Sequence, residues 1–415
     1  MAGLVARLMA GARYGVRPLT HRRRSFLLSI ALFLFALTGA LQPGIGWGQT
    51  EPRRAGGGSA NTVSRGVNTA LITGDALPPL LSDFRFFSGG NSNAGTPGSD
   101  GAAESGAGRP ARALIPYTLR TPLFSDFAEK RRYIYLPPGA HMVAHGSGLV
   151  EFPVGTAIIK SFGYPSANGR LRLIETRLLL RRATGWIALP YIWRADGTDA
   201  ELRLAGGRQL VSFTGPDGQA RQINYAVPNR NQCKNCHESG GVVTPIGPRV
   251  VNMELAPRHR NLMQGADWAA ARMPRWDDPA SGSLNDRARA YLDVNCAHCH
   301  TPRGSASNSG LFLEYWRPPS METGLFKRPV AAGRGSGGFE FDITPGAPDT
   351  SILLHRLRST DPGVAMPELG RSSVHDAGVA LIRAWIAAMP EQDNPASPPP
   401  SPASIVAQTN ISATD

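Results

Sequence analysis

Cys233-Lys234-Asn235-Cys236-His237 is matched in form, further along the chain, by Cys296-Ala297-His298-Cys299-His300. Together the two stretches contain all 4 cysteines of the 415-residue chain. Each has the spacing Cys-x-x-Cys-His, in which two thiols three residues apart can form thioethers with the vinyl groups of one haem. The histidine that follows can then bind the iron as its proximal ligand. The pattern predicts two covalently bound haem c groups, attached through Cys233, Cys236, Cys296 and Cys299, with His237 and His300 as proximal iron ligands.

Zinc is the competing interpretation of these two motifs, because thiolate and imidazole groups also bind zinc. Each motif would then be a structural zinc knuckle built from the same residues. Zinc sites rarely have a ligand directly beside the second cysteine, so the Cys-His pair favours haem. No cysteine lies outside the motifs to serve as a nucleophile or to form another disulfide.

The sequence around the second motif has the order of parts found in class I cytochromes c. A capping box at Ser283-Leu284-Asn285-Asp286 predicts a helix that ends at Cys296. The pair Met366-Pro367 follows 66 residues after His300, and residues 376–389 predict an amphipathic helix. A thioether is a soft ligand that favours ferrous iron. Met366 is therefore the expected distal ligand of the second haem, the alternative being an apolar side chain that fills the core.

The distal ligand of the first haem stays open on sequence grounds. Strand-like sequence precedes Cys233, and the 58 residues from 238 to 295 are too few for a second complete cytochrome fold. The candidates are Met253, Met263, Met273, His259, His141 and His145. Met253 ranks first because it follows Pro245-Ile246-Gly247-Pro248 at a distance that allows the loop to close.

The N-terminal 48 residues predict an export signal. Six arginines and no acidic residue precede the apolar run at 26–37, and Gly46-Trp47-Gly48 provides a small-residue cleavage site. The run is shorter than the ~20 residues needed to span a bilayer, so cleavage is favoured and no stable membrane span is expected. Cleavage reduces the formal net charge from +13 to +7, since 13 − 6 = 7. We expect a periplasmic protein with a redox protein partner and no nucleic acid partner.

Composition divides the chain into six predicted segments. These are the signal peptide (1–48), a disordered Gly/Ser-rich linker (49–111), a β-rich domain (112–230), a first haem c segment (231–282), a cytochrome c-like domain with the second haem (283–392) and a disordered tail (393–415). In the β-rich domain, short strands alternate with turn signals such as Asp196-Gly197. The predicted fold class is α+β multidomain, with an antiparallel β-sandwich-like domain followed by a mainly helical cytochrome c-like region that holds two haems.

The chain resembles a family of bacterial diheme c-type cytochromes that have a β-rich N-terminal half and two Cys-x-x-Cys-His motifs. The resemblance covers about residues 114–390 and depends on Thr121-Pro122-Leu123-Phe124-Ser125-Asp126, Phe152-Pro153-Val154-Gly155-Thr156, Glu175-Thr176-Arg177-Leu178, Asn231 to His237, Pro245-Ile246-Gly247-Pro248, Ala288-Arg289-Ala290-Tyr291-Leu292, Asn295 to His300 and Met366-Pro367. It implies haem binding and electron transfer outside the cytoplasm.

Three functions are compatible with the sequence. The preferred one is a periplasmic diheme electron carrier, or an electron-transfer subunit, in which both axial positions of each iron are filled. The second is a diheme peroxidase-like oxidoreductase, which needs one open haem site and an acid–base group nearby. The two motifs begin 63 positions apart, at Cys233 and Cys296, which is a shorter separation than expected of that class. The third is a haem-based sensor or binding module that uses the β-rich domain. Enzymatic activity is thus uncertain, and electron transfer is favoured.

Overall fold

The computed structural model describes residues 66–88, 104–105, 108–146, 148–166, 170–270 and 272–390. The predicted signal peptide, much of the predicted linker and the predicted tail lie outside these ranges. Within the predicted linker, residues 66–88 are described and contribute buried side chains to the core, among them Ile72, Phe84 and Phe86.

The described residues contain seventeen strands and five α-helices. The strands are β1 (Phe87–Ser88), β2 (Glu104–Ser105), β3 (Arg109–Pro110), β4 (Leu114–Leu119), β5 (Glu129–Tyr135), β6 (Met142–Gly146), β7 (Val150–Glu151), β8 (Ala157–Pro165), β9 (Leu171–Arg182), β10 (Gly185–Trp193), β11 (Ala200–Leu202), β12 (Gly207–Thr214), β13 (Ala220–Val227), β14 (Glu238–Ser239), β15 (Val242–Val243), β16 (Met253–Leu255) and β17 (Met263–Ala266). The helices are α1 (Thr69–Thr73), α2 (Arg230–His237), α3 (Leu284–Cys296), α4 (Ile352–Arg358) and α5 (Asp376–Ala387).

An eight-stranded sheet forms the centre of the structure. Its order is β11-β10-β9-β8-β5-β4-β16, and the short strand β2 runs parallel to β9 at one end. The other pairs are antiparallel. The central strands β8 and β9 are buried along most of their length instead of alternating between buried and exposed residues. Such a pattern indicates a sheet that is covered on both faces.

One face of this sheet packs against the segment 66–87. Residues Tyr133, Ile159 and Leu178 are directly opposite one another on β5, β8 and β9, and all three belong to the core on this face. Ile72 and Phe84 of the covering segment pack against the same core. The strands thus bury a large apolar surface without a second full sheet.

The opposite face is covered by a small sheet and by the first motif. Ile134, Ile158 and Leu179 form a second row across the same three strands. They share a core with Met142 of β6, which belongs to a three-stranded sheet of order β17-β6-β7. Cys233 of helix α2 is part of this core, so the first motif lies directly on the large sheet.

The predicted fold class is wrong, because the second half is not a mainly helical cytochrome c-like region. Its helices α2, α3, α4 and α5 are 8, 13, 7 and 12 residues long. Between α3 and α4 the chain is rich in Gly and Pro, which favour turns over helix. The half is also not a separate domain, since β16 pairs with β4 and β17 with β6. The architecture is a large antiparallel sheet with helices and loops packed on it.

The loop between β4 and β5 joins the two halves through backbone hydrogen bonds. The Thr121 amide donates to Asn252 Oδ1 over 2.9 Å, and Asn252 Nδ2 donates to the Thr121 carbonyl over 3.0 Å. The Phe124 amide donates to Asn295 Oδ1 over 2.9 Å. Because Asn252 and Asn295 are almost fully buried, these bonds fix the second half against the sheet. All described residues accordingly belong to one unit of the chain.

Within the described ranges, no helix combines the length and the apolar character needed to cross a membrane.

Candidate cofactor site

The first motif lies on helix α2. Asn229 caps this helix: its Oδ1 accepts from the Gln232 amide over 2.8 Å, and Gln232 Oε1 accepts from the Asn229 amide over 2.9 Å. Residues three and four apart lie on the same face of a helix. Cys233, Cys236 and His237 therefore present two sulfurs and an imidazole on one side of α2, the arrangement that two thioethers and an iron ligand need.

The second motif begins at the last residue of α3 and continues in a helical turn. The Ser283 hydroxyl accepts from the Asp286 amide over 3.1 Å, so the predicted helix start and its end at Cys296 are confirmed. The His300 amide donates to the Cys296 carbonyl over 2.9 Å. This turn brings His300 back towards Cys296, in the same relation that His237 has to Cys233.

Both motif histidines are oriented by backbone carbonyls. His237 Nδ1 lies 3.1 Å from the Thr244 carbonyl oxygen, and His300 Nδ1 lies 3.2 Å from that of Leu311. Nδ1 must carry the proton to donate in this way, which makes Nε2 the nitrogen with the free lone pair. Metal-binding histidines are commonly held by this kind of bond. The donor atoms in each motif thus fit the attachment of haem and the ligation of its iron.

The two motifs lie side by side. The ligand atoms of Cys236, His298 and Cys299 are all within 4.8 Å of one another, and all three side chains are half-buried. Asn235 supports this contact, because its carbonyl accepts from the Ser305 hydroxyl over 3.0 Å. The remaining motif cysteines, Cys233 and Cys296, are buried. The second cysteine of each motif thus faces the other motif.

A cavity of about 330 Å³ lies between the first motif, the sheet and the second half. Its lining includes Cys233, Cys236 and His237 on one side and His298 on another. The sheet contributes Tyr117, Arg132, Lys160 and Arg177, and the segment before α5 contributes Arg371 and His375. Its volume is in the range of about 300–1,000 Å³ that cofactor and small-molecule pockets have.

Burial and contact between the motifs determine the charge of the free thiols and imidazoles. Burial lowers the pKa of His237 to about 4, which keeps the imidazole neutral and able to donate its lone pair to a metal. The Cys236 and Cys299 thiols hydrogen-bond each other, which raises the pKa of Cys236 and lowers that of Cys299. Burial raises the pKa of Cys296 to about 12.

Two arginines connect Met366 to the surroundings of the second motif. The Met366 amide donates to the Arg356 carbonyl over 3.1 Å, and the charge of Arg356 acts on His300. Arg371 donates to the Met366 carbonyl over 2.7 Å, and its charge acts on Cys296. The role of Met366 as distal ligand stays a prediction.

The candidates for the distal ligand of the first haem do not line the cavity beside His237. Met253, Met263 and Met273 are buried, and Met253 and Met263 share a core with Cys233 of the first motif. His259 is half-buried, and His141 and His145 are exposed. The assignment of Met253 therefore stays a prediction. Among the cavity-lining residues, Lys160 and His298 offer further nitrogen donors.

The basic residues of the cavity were not found from the sequence. Lys160 interrupts the apolar strand β8, which was the available signal, but nothing in the sequence shows which residues lie opposite it. In the structure Arg132 and Arg177 occupy the adjacent strands at the same level.

Comparisons of this chain with protein-family models, with curated proteins and with solved structures found no match.

Proposed function

We propose that this protein is an exported electron carrier that binds two haem c groups covalently and exchanges electrons with a redox protein partner. The observation that carries the proposal is the repeated arrangement of Cys, Cys and His in the two motifs. In each, a backbone carbonyl holds Nδ1 of the histidine and directs the lone pair of Nε2 outward.

In this proposal the chain's own residues attach, orient and enclose the cofactors. Cys233 and Cys236 would hold the first haem, and Cys296 and Cys299 the second. His237 and His300 would bind the irons, and Met366 would be the distal ligand of the second. Haem supplies an iron that alternates between ferric and ferrous states when it is bound. The sheet and the loops of the second half exclude water around the first motif.

The contact between the motifs supports electron transfer in particular. Cys236 and Cys299 are neighbours in the structure. Cofactors attached to adjacent sulfurs would be close to each other, as a carrier with two redox centres requires. The buried bonds of Asn252 and Asn295 keep the two motifs at a fixed separation. A rigid protein environment limits the structural change that accompanies each gain or loss of an electron by the iron.

The decisive experiment measures covalent haem on protein produced in an export system with haem attachment. After acid–acetone extraction, two haems per chain should remain on the wild-type protein. Replacing Cys233 and Cys236 together with Ser should remove one haem, and the matched pair Cys296→Ser and Cys299→Ser should remove the other. Pigment that is released into the solvent, or a chain free of haem, would overturn the proposal.

A single metal ion bound between the motifs is the second candidate function. The observation that favours it is the cluster of Cys236, His298 and Cys299, which offers three ligand atoms suited to zinc. This site takes one ion per chain and leaves Cys233 and His237 unused, unlike a zinc knuckle at each motif. Elemental analysis of the purified protein separates the candidates: one zinc and no iron supports this site, whereas two irons exclude it.

A further inference from the structure

Three basic side chains form a row across the centre of the large sheet. The strand register places Arg132 of β5 opposite Lys160 of β8, and Lys160 opposite Arg177 of β9. Directly opposite residues on neighbouring strands project from the same face and are close in space. All three side chains line the cavity that contains Cys233 and His237. Like charges in such a row repel one another, so the row is costly unless anions neutralise it.

Only the last residue of this row has a carboxylate partner. Arg177 forms two hydrogen bonds with Glu175, at 2.8 Å from Nε and 2.5 Å from Nη2. Glu175 is fully buried and also accepts from the Tyr225 hydroxyl over 2.6 Å, so three of its about four acceptor sites are in use. Within the described ranges, neither Arg132 nor Lys160 lies within 4.0 Å of a carboxylate.

Arg132 and Lys160 are nevertheless enclosed by protein. Arg132 is 8 % exposed, and its buried Nη2 atom has no hydrogen-bond partner in the described structure. Lys160 Nζ lies 4.8 Å from the centre of the Phe162 ring, and Arg177 Cζ lies 4.5 Å from the same centre. The ring face offers a weak attraction, but it cannot compensate for the buried charge of Arg132 and the half-buried charge of Lys160.

The electrostatics of the two groups reflect this deficit. Burial, followed by repulsion from Arg132, Lys130 and Arg177, lowers the pKa of Lys160 well below its ordinary value. Burial lowers the pKa of Arg132 as well. Both shifts indicate that the positive forms lack a partner in the protein itself. An anion inside the cavity would stabilise the positive forms of Arg132 and Lys160.

We propose that Arg132 and Lys160 bind the two carboxylate groups of the haem attached at Cys233 and Cys236, an inference that rests on the function proposed above. Arg132 and Lys160 could each pair with one of the two carboxylates that a haem carries; Arg371, the other cavity-lining cation outside the described ion pairs, donates to backbone carbonyls instead. Both cations line the same cavity as the motif, so the ligand's acidic edge lies on the sheet. Arg132 can bind a carboxylate through two parallel N–H groups, and Lys160 contributes a point charge.

The test compares one pair of substitutions in two backgrounds. Arg132→Gln with Lys160→Met removes both charges at nearly constant volume. In the haem-loaded protein this pair breaks two ion pairs and should lower the thermal midpoint. In the Cys233→Ser/Cys236→Ser background it removes repulsion and should raise the midpoint. Arg172→Gln, at an exposed position on the same strand as Arg177, should change neither. The same sign in both backgrounds would overturn the inference.

A redox titration of the haem-loaded protein provides a second readout. Without the two cations, the negative carboxylates stabilise the ferric state, so the midpoint potential of one haem should fall and the other should stay unchanged. Arg132→Lys, which keeps the charge, should retain most of the wild-type potential. Equal potentials in the wild type and the double variant would contradict the assignment even if folding is unaffected.

Titration with succinate distinguishes the haem carboxylates from a free anion. The haem-loaded protein should show no saturable stabilisation, because the site is filled. The Cys233→Ser/Cys236→Ser variant should be stabilised by succinate, and the effect should disappear with Arg132→Gln and Lys160→Met. Equal binding to the haem-loaded protein would assign the site to a free carboxylate and overturn the inference. If the wild-type chain contains no haem, the proposed function fails, and succinate binding by that chain then reports on the anion site alone.

Discussion

At the scale of single residues, the imidazoles of His237 and His300 combine orientation with neutrality. A backbone carbonyl accepts from each Nδ1, so neither ring can rotate without losing a hydrogen bond. Burial lowers the pKa of both imidazoles, which keeps the rings unprotonated at neutral pH. A neutral imidazole with a fixed tautomer needs little rearrangement to bind a metal. The fold thus holds both imidazoles in a form that can bind a metal, as their proposed role requires.

Replacing Met366 with Ala is expected to change only the second haem. Loss of the thioether removes a ligand that favours ferrous iron, so the midpoint potential of that haem should fall. The band near the red end of the ferric spectrum that arises from sulfur bound to iron should disappear. Met321→Ala is the matched control, because Met321 is 58 % exposed. A variant with the spectrum and both potentials of the wild type would show that Met366 is not a ligand.

His375 makes the stability of the protein depend on pH. Its ring stacks on Phe124 with centroids 4.2 Å apart, and its Nδ1 lies 3.0 Å from the Tyr291 hydroxyl. Burial lowers the pKa of His375 from 6.5 to about 4. Between these pH values the unfolded chain binds a proton that the folded protein does not. The free energy of unfolding should therefore fall as the pH decreases from about 6.5 to 4.

His375→Phe isolates this contribution, because a phenyl ring can keep the stacking but cannot bind a proton. Urea unfolding of the wild type and the variant from pH 4 to pH 7 measures the contribution of His375 to the free energy of unfolding. The wild type should lose up to about 1.4 kcal/mol per pH unit more than the variant inside this window. Above pH 7 the difference in the free energy of unfolding between the two proteins should be constant and small, because only the hydrogen bond to Tyr291 is lost. Parallel pH profiles would show that the pKa of His375 is not lowered.

The residues of the motifs were predictable because their chemistry depends on spacing along the chain. Cys233, Cys236 and His237 are within five residues, so the sequence alone shows that they can act together. Arg132 and Lys160 are far apart in sequence, and their proximity depends on the register of two paired strands. The ranking of Met253 used loop length alone. In the structure the pairing of β16 with β4 places Met253 in the core that also contains Cys233, a relation that the sequence does not show.

At the scale of secondary structure, the loop between β4 and β5 connects the large sheet to the segment before helix α5. Asp126 is 2 % exposed and accepts from the amides of Ser372 and Ser373, at 2.7 and 2.8 Å, and from the Ser373 hydroxyl at 2.7 Å. These bonds hold the segment that leads from Met366 to helix α5. The position of α5 therefore depends on a residue of the sheet half.

Asp126→Ala should destabilise the protein by about 2–4 kcal/mol, because it removes a buried carboxylate that accepts from two amides and a hydroxyl of partly buried residues. Asp267→Ala is the matched control: Asp267 also accepts from two amides, those of Ala269 and Ala270, but it is exposed. That change should cost about 1 kcal/mol or less. Denaturant unfolding measures both values. Equal losses would indicate that the Asp126 bonds do not join the halves.

Local signals predicted the helices and strands better than their arrangement. The capping box at Ser283 and the periodicity of residues 376–389 gave α3 and most of α5. Turn residues marked the limits of β8, β9 and β10. The sequence did not show how the β-rich region and the region containing the two motifs pack against each other. The strands β16 and β17 are only three and four residues long, too short to be recognised, yet they carry the second half onto the sheets of the first.

At the scale of the whole molecule, the site is formed between elements that are distant in sequence. The cavity is lined by strands of the large sheet, by both motifs and by the segment before α5. Of the three carboxylates in its wall, Asp293 pairs with Arg249 and Glu314 with Arg317, whereas Glu238 is exposed and forms no ion pair within the described residues. A site for peroxide cleavage needs a proton acceptor beside an open iron position. Two of the three carboxylates are thus held in ion pairs, which favours the proposed carrier over a peroxidase.

The haem-loaded protein is accordingly expected to reduce hydrogen peroxide at a negligible rate with a reduced cytochrome as electron donor. Two cavity-lining groups at the motifs could accept the proton in a peroxidase: His298, within the second motif, and Glu238, directly after the first. His298→Ala and Glu238→Gln should therefore leave the low rate and the low-spin spectra of both haems unchanged. Electron paramagnetic resonance of the half-reduced protein measures the spin state. Turnover of ~1–10³ s⁻¹ that depends on His298 or Glu238, with a high-spin first haem, would replace the carrier by an enzyme.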